Sequence, residues 1–230
     1  MFWRAKRLNP QHGITVLETA AVAFMLATLS YVIFTLGQVW CLRHEVDRSV
    51  ETMLHLQNHP LMHVSYSANG DISYETHDQV VTQTATSLLD YGEALLKQSS
   101  FLQHRPYKLE AAIIFSAVDE RDGSFRGFES MHTSVSRGSL QVPAAVSAHI
   151  SVAQTLEAAS HDATRLQSLA ESSMGIIYDE QDTRFVPRLP LKVVCLYVQD
   201  TGSIRALFGS TTLPEGIIAQ CDIKKGRTIL

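Results

Sequence analysis

Two groups of side chains have the residue types of a chemical site. The first is His55, His59 and His63, which follow one another at intervals of four. On a single helix that spacing would place three imidazoles on one face, where they could bind zinc. Pro60 interrupts such a helix, and no cysteine or carboxylate cluster completes the ligand set. The sequence therefore favours solvated histidines over a metal site, and we expect no cofactor.

The second group, Ser160-His161-Asp162, has the residue types of a hydrolase triad. Adjacent positions on a helix point in different directions, so these three side chains cannot form the proton relay. The sequence also contains no Gly-x-Ser-x-Gly elbow, no phosphate-binding P-loop and no Gly-x-Gly-x-x-Gly motif. We therefore do not expect an enzyme.

Glu18 is a third candidate because it stands directly before a long uncharged run. Residues Thr19 to Leu42 include no Asp, Glu, Lys or Arg. That length fits a membrane-spanning helix, which needs about 20 apolar residues. A carboxylate at membrane depth costs roughly 2.5–3.5 kcal/mol at the bilayer centre and is a functional hypothesis by default. The alternative is a carboxylate near the membrane edge that reaches the headgroup water.

Residues 1–13 form a short basic leader that carries Arg4, Lys6 and Arg7. The flank after the uncharged run mixes both signs of charge. The positive-inside rule therefore places the N-terminus in the cytoplasm and the following domain outside. The run is longer than the apolar core of a secretory signal peptide and does not end in an Ala-x-Ala pattern. An ordinary uncleaved anchor stays open as an alternative.

The helix is expected to continue beyond the membrane. After the uncharged run, apolar residues recur at 3.6-residue spacing on one face and charged residues take the other, until Pro60 stops the helix. The face expected to be buried consists of Leu42, Val46, Val50, Met53, Leu54 and Gln57. From Ile14 to about Asn58 such a helix would be nearly 70 Å long at about 1.5 Å per residue. We therefore predict a transmembrane and amphipathic spine helix over residues 14–58.

Residues 59–230 are expected to form an α+β domain. Helices are predicted over about 78–102 and 151–171, with Gly92 lowering the helical propensity of the first. The predicted strands cover 109–118, 124–136 and 191–199, with short candidates at 175–178 and 184–186 and a hairpin or loop around Asn69-Gly70. The formal net charge of −4 and the lack of a Lys/Arg cluster argue against nucleic-acid binding.

The chain has three cysteines: Cys41, Cys195 and Cys221. If the domain lies outside the cytoplasm, the last two are in an oxidising compartment, where disulfides persist. A Cys195–Cys221 bond would close a C-terminal loop and stabilise the domain by about 3 kcal/mol on chain-entropy grounds. The alternative is two buried free thiols. Cys41 lies at the membrane boundary.

The segment Gly13-Ile14-Thr15-Val16-Leu17-Glu18 resembles the cleavage site of type IV prepilin-like proteins. With the spine residues 45–50 and the late segment Leu189–Cys195, the chain resembles the TadE/TadF group of tight-adherence (Flp-type) pseudopilins. The resemblance implies that a prepilin peptidase cuts after Gly13. Cleavage would free an amine on Ile14, one helical turn from Glu18 and on the same face. The two charges could then pair within one subunit or between neighbours in a filament.

Three departures from the family favour a minor pseudopilin. Thr19 follows the glutamate where an aromatic residue is frequent, and Ile14 stands where type IV pilins usually have Phe. The chain is also much longer than the small major pilins of these systems. The resemblance implies a single-pass protein of the bacterial inner membrane with a periplasmic domain over 59–230. Its implied partners are the membrane, the prepilin peptidase, other pilin or pseudopilin subunits and the pilus assembly platform.

A second hypothesis belongs to a different class of protein. An uncleaved single-pass envelope protein would have the same span, and its periplasmic domain would bind a ligand or scaffold a secretion complex. Replacement of Glu18 by alanine discriminates the two hypotheses, because only the first needs the carboxylate for assembly.

Overall fold

The computed structural model describes residues 10–56, 62–66, 72–75, 78–118, 125–128, 133–162, 177–178, 184–185, 190–200, 216–225 and 228–229. Its helices are α1 (Pro10–His55), α2 (Asp78–Gln98), α3 (Ala144–Ser147) and α4 (Val152–His161). Its strands are β1 (Met62–Tyr66), β2 (Ile72–Glu75), β3 (Tyr107–Val118), β4 (Phe125–Phe128), β5 (Thr133–Gly138), β6 (Ile177–Tyr178), β7 (Arg184–Phe185), β8 (Pro190–Gln199), β9 (Ile217–Lys225) and β10 (Thr228–Ile229).

The main sheet is antiparallel and is built around β3 and β8. Strand β8 pairs with β3 on one side and with β9 on the other. On its other edge β3 pairs with β5 over residues 108–113 and with β4 over residues 116–118. The single strand predicted over 124–136 is therefore two strands that follow one another along the same edge. Two small sheets, β10-β1-β2 and β6-β7, complete the described strands.

Helices cover both faces of the main sheet, which agrees with the predicted α+β class. One apolar cluster joins the sheet to α1 and α2, and a second joins its opposite face to α3 and α4. Strand β8 lies between the two clusters and is buried from Pro190 to Val198. This burial on both faces explains why its sequence is apolar at nearly every position.

The second half of α1 is part of the domain core. Its amphipathic face is buried as predicted, with exposed fractions of 2% or less. The buried residues on this face are Leu42, Val46, Val50, Met53 and Leu54. Arg43, Arg48 and Glu51 on the other face are exposed. The predicted domain boundary, between residues 58 and 59, therefore comes just after the end of α1. The core of the domain nevertheless includes residues of α1.

Gly92 lies where α2 comes closest to α1 and β3. A Cβ atom at this position would lie 2.5 Å from both Leu109 Cδ2 and Met53 Sδ. Real side chains do not tolerate such a distance without movement, so the glycine permits the three elements to pack at this separation. Its place inside a helix has a packing reason that local propensity does not reveal.

Several element boundaries differ from those predicted. Helix α2 ends at Gln98, and Leu102 is buried from the turn that follows, rather than from the helix. Strand β9 was not predicted. The Asn69-Gly70 turn lies outside the described residues, although β1 and β2 on either side of it pair antiparallel. The part of the predicted helix beyond Asp162 and residue Gln57 also lie outside the described residues.

Candidate functional site

The first half of α1 exposes an apolar surface along most of its length, although Thr35 near its end is only 3% exposed. From Val16 to Leu36 the large apolar side chains point outward, with Phe24 73% and Met25 70% exposed. Soluble monomers rarely expose contiguous apolar patches of more than a few hundred Å². A helix that is apolar all round suits a hydrocarbon environment. This is one helix near the N-terminus that is long and apolar enough to cross a membrane, as judged by length and composition.

Two hydroxyls inside this segment are paired within the helix. The hydroxyl of Thr35 donates to the carbonyl oxygen of Tyr31 at 2.7 Å, and that of Thr28 donates to the carbonyl oxygen of Phe24. Such back-bonding matters in lipid because no water is present to pair with a free hydroxyl. The segment can therefore contact lipid or apolar helices without leaving these two hydroxyls unpaired.

An aromatic pair marks the end of the uncharged run. The ring of Trp40, which is 69% exposed, stacks on the imidazole of His44 with centroids 5.9 Å apart. Tryptophan is enriched where membrane meets water, because its ring is amphipathic. The first buried apolar residue, Leu42, follows only two positions later. The domain therefore begins directly at this boundary, without a linker.

The residues of the predicted processing site lie at the start of α1. Gly13 and Ile14 fall within its first two turns, and Glu18 is exposed one turn further on. About 33 Å of helix separates Glu18 from Trp40 at roughly 1.5 Å per residue. This is close to the ~30 Å hydrocarbon thickness of a bilayer, so Glu18 is at the far edge of the segment.

Two lysines bind the C-terminal end of α1. Lys192, only 5% exposed, donates from Nζ to the carbonyl oxygen of Leu56 at 2.7 Å. Lys224 is the residue of β9 that pairs with Lys192, and its Nζ lies 2.6 Å from Nδ1 of His55. The last carbonyls of a helix lack partners and carry partial negative charge, so both amines are placed favourably. Burial, with a smaller effect from the charge of Lys224, lowers the pKa of Lys192.

A groove of about 440 Å³ separates α1 from β9. Its walls carry Asp47, Glu51 and His55 from α1, and Asp222 and Lys224 from β9. His55 and Glu51 lie 3.7 Å apart, one turn from each other on α1. The groove is mixed in charge and open to solvent.

Cys195 and Cys221 face each other across β8 and β9 and form a disulfide. Cys195 is fully buried, on the sheet face that α4 covers. The bond joins a central strand to an edge strand that is 26 residues away along the sequence. Cys41 is a free, partly buried thiol at the end of the apolar segment.

The other candidate side chains that the structure describes are not arranged as the sites that their residue types suggested. Ser160 donates its hydroxyl to the carbonyl oxygen of Glu157 instead of to an imidazole, and His161 and Asp162 are exposed. His55 is at the end of α1, His63 is on β1, and His59 lies outside the described residues. Among the residues that the structure describes, no group of three His, Cys, Asp or Glu side chains could hold a metal ion.

A polar network fastens α2 to the sheet. Tyr107 donates its hydroxyl to Glu93 at 2.8 Å, and Arg137 on β5 pairs with Asp90 and with Glu93. Burial, then the hydrogen bond to Glu93 and its charge, raises the pKa of Tyr107 to about 12. The sequence pattern did not indicate this network, because its members come from three separate elements.

The network predicts a dependence of stability on alkaline pH. The folded-state pKa of Tyr107 lies above the unfolded value of about 10, so its contribution is complete below that pH and is lost as pH rises through about 12. In a spectroscopic phenolate titration, Tyr107→Phe should remove one late-ionising tyrosine. Glu93→Gln, which leaves the phenol in place, should move that ionisation to lower pH. An unchanged late phase in both variants would contradict the assignment.

The described fold and surface define a protein with one N-terminal helix that could span a membrane, joined without a linker to an antiparallel α+β domain. No protein-family model, curated protein or solved structure matches the chain. Its function must therefore be argued from its own residues.

Proposed function

We propose that this protein is a minor pseudopilin that takes part in assembly of a tight-adherence or related type IV-like pilus or secretion system. The observation that carries the proposal is the single uninterrupted helix from Pro10 to His55. Its first half is apolar and largely exposed, and its second half forms a wall of the domain core. Such a helix can be embedded among other helices while it presents the domain in a fixed position.

Glu18 would hold the subunits in register. Cleavage after Gly13 creates an amine on Ile14, one turn from Glu18, where the two charges can pair within a subunit or across to a neighbour. In the membrane Glu18 lies near the cytoplasmic edge and stays hydrated. On entry into a filament core it would lose that water, and pairing with the amine would offset the cost.

The disulfide supports the orientation in this proposal. Disulfides persist in oxidising compartments such as the periplasm and are rare in the cytosol. The Cys195–Cys221 bond is therefore consistent with a domain outside the cytoplasm. The basic leader, with Arg4, Lys6 and Arg7, favours the same orientation under the positive-inside rule.

The first test is processing of the leader. In a host that carries the cognate prepilin peptidase, intact mass and N-terminal sequencing should show a chain that begins at Ile14. A chain that retains its leader in that host would leave the uncleaved envelope protein as the better hypothesis.

The second test separates Glu18 from the other carboxylates of α1. Glu18→Ala and Glu18→Gln should reduce filament assembly by about tenfold or more, since loss of a paired charge costs more than about 1.4 kcal/mol. Processing and membrane insertion should continue. Glu51→Ala is the matched control, because Glu51 is an exposed glutamate of the same helix that lies outside the apolar segment. Wild-type assembly by both Glu18 variants would overturn the proposed role.

A further inference from the structure

The turn between α2 and β3, residues 99–106, lies at the end of the domain where α1 leaves it. The contact between Lys192 and Leu56 fixes one end of β8 beside the C-terminal end of α1. The opposite end of the sheet carries Tyr107, which pairs with Val198. Strand β9 and α1 run alongside each other, because the groove between them is lined by residues 47–55 of one and 220–224 of the other.

Positions along β8 can be compared with positions along α1. From Lys192 to Val198 the strand extends about 20 Å at roughly 3.3 Å per residue. Helix α1 covers that length in about 13 residues at roughly 1.5 Å each, which leads from Leu56 back to the level of Arg43. The Tyr107 end of the sheet is therefore at about the height of Arg43, near the start of the domain, and the turn that precedes Tyr107 lies at this end.

This turn holds an apolar side chain in solvent. Outside α1, Phe101 is the exposed large apolar side chain of the described residues, at 42%. The next residue, Leu102, is buried. The carbonyl oxygen of Phe101 itself accepts a hydrogen bond from Nε of Arg105 at 2.8 Å. Arg105 in turn pairs with the buried carboxylate of Asp200 at 2.5 Å. The turn is thus fixed by contacts at and after Phe101, whose ring is kept outside the core.

The turn and the residues next to it along the sequence are basic. Residues 94–109 include no Asp or Glu, whereas Lys97 and His104 are exposed on either side of Phe101. Arg105 and Lys108 have carboxylate partners within the domain, so Lys97 is the exposed cation of this stretch. An aromatic ring beside a cation suits the membrane interface, where the ring enters the headgroup layer and the amine meets lipid phosphates.

We propose that the 99–106 turn is a second membrane contact, in which Phe101 inserts into the headgroup region of the bilayer that α1 spans and Lys97 faces its phosphates. The proposal rests on the membrane span assigned to α1. Together with α1, the turn would fix the tilt of the domain on the membrane, which a single helix cannot do alone. A partner protein is the competing occupant of this surface, and photocrosslinking distinguishes it from lipid.

The test uses a photoreactive benzoylphenylalanine in the full chain, placed at one site at a time. The protein is reconstituted into nanodiscs of phosphatidylcholine with about one quarter anionic phosphatidylglycerol. Position 101 is the site tested, and the phenylalanine analogue preserves its aromatic character. Phe34 in the apolar segment is the positive control, and Gln79, exposed at the opposite end of α2, is the negative control. Lipid and protein adducts are identified by mass spectrometry.

We expect lipid adducts at positions 34 and 101, with a yield at 101 about tenfold or more above that at 79, as an interfacial contact requires. Lipid adducts at 34 without adducts at 101 would overturn the second contact and leave the span of α1 standing. Protein adducts alone at 101 would overturn it in favour of a partner protein. Absence of lipid adducts at both 34 and 101 would refute the membrane span and the turn contact together.

Discussion

A chain that begins at His59 is expected to remain unfolded, whereas one that begins at Val39 folds. The shorter chain lacks the five α1 side chains that form one wall of the core: Leu42, Val46, Val50, Met53 and Leu54. Each contributes about 1.5–3 kcal/mol on burial. Their sum of roughly 10 kcal/mol is comparable to the entire stability of an ordinary domain, about 5–15 kcal/mol. Circular dichroism and urea unfolding of the two chains will test this.

Point variants in the chain that begins at Val39 separate the effect of losing buried α1 contacts from the effect of shortening the chain. Val46→Asp places a carboxylate where the side chain is fully buried, and should destabilise the domain by about 3 kcal/mol or more. Arg43→Ala changes an exposed residue less than one turn away and should stay within about 0.5 kcal/mol of the unmodified chain. Cooperative unfolding of the chain that begins at His59 would show that α1 is dispensable and would contradict the shared core.

The double variant Cys195→Ala/Cys221→Ala should lose about 3–4 kcal/mol of unfolding free energy. The disulfide closes a loop of 26 residues, and chain-entropy estimates for that length give this magnitude. Urea unfolding of both proteins under non-reducing conditions measures the difference. Cys41→Ala is the matched control, because Cys41 has no disulfide partner and is only partly buried.

Alkylation gives an independent check on the same bond. Under non-reducing, denaturing conditions only Cys41 should react, and intact mass should show one adduct. After reduction three adducts are expected, one for each cysteine of the chain. Three adducts before reduction, or a loss of less than about 1 kcal/mol in the double variant, would contradict the bond's structural role.

Local periodicity was sufficient to predict α1 and β8. The burial of Leu42, Val46 and Val50 follows from 3.6-residue spacing, which a helix turns directly into a face. Strand β8 was predictable because both of its faces are covered, which produces a continuous apolar run. In these elements the environment of each residue is set mainly by the element itself.

Strand β9 was missed because it is an edge strand with two different faces. Its Ala219, Cys221 and Ile223 pack towards α4, whereas Gln220 and Asp222 line the groove beside α1. A short segment that is half polar does not stand out from a turn unless its partner is known, and pairing with β8 is a non-local property. The disulfide partner at Cys221 was the available signal for this strand.

The contacts at the end of α1 could not be predicted for a related reason. Lys192 interrupts an apolar strand, and the sequence alone does not show that its amine reaches the carbonyl oxygen of Leu56, 136 residues earlier. The same holds for Phe101, because one aromatic residue in a polar turn indicates a membrane contact only when the turn lies near the start of the domain. Both features depend on how elements that are distant in the sequence pack together.

The amine of Lys192 also has a mechanical consequence. It ties the last turn of α1 to a central strand, and α1 runs alongside the neighbouring strand β9. A pull along the helix axis would therefore load many side-chain contacts at once, in shear, instead of opening them one after another. A protein built this way would transmit tension from the N-terminal half of α1 to its α+β domain without an elastic joint between them.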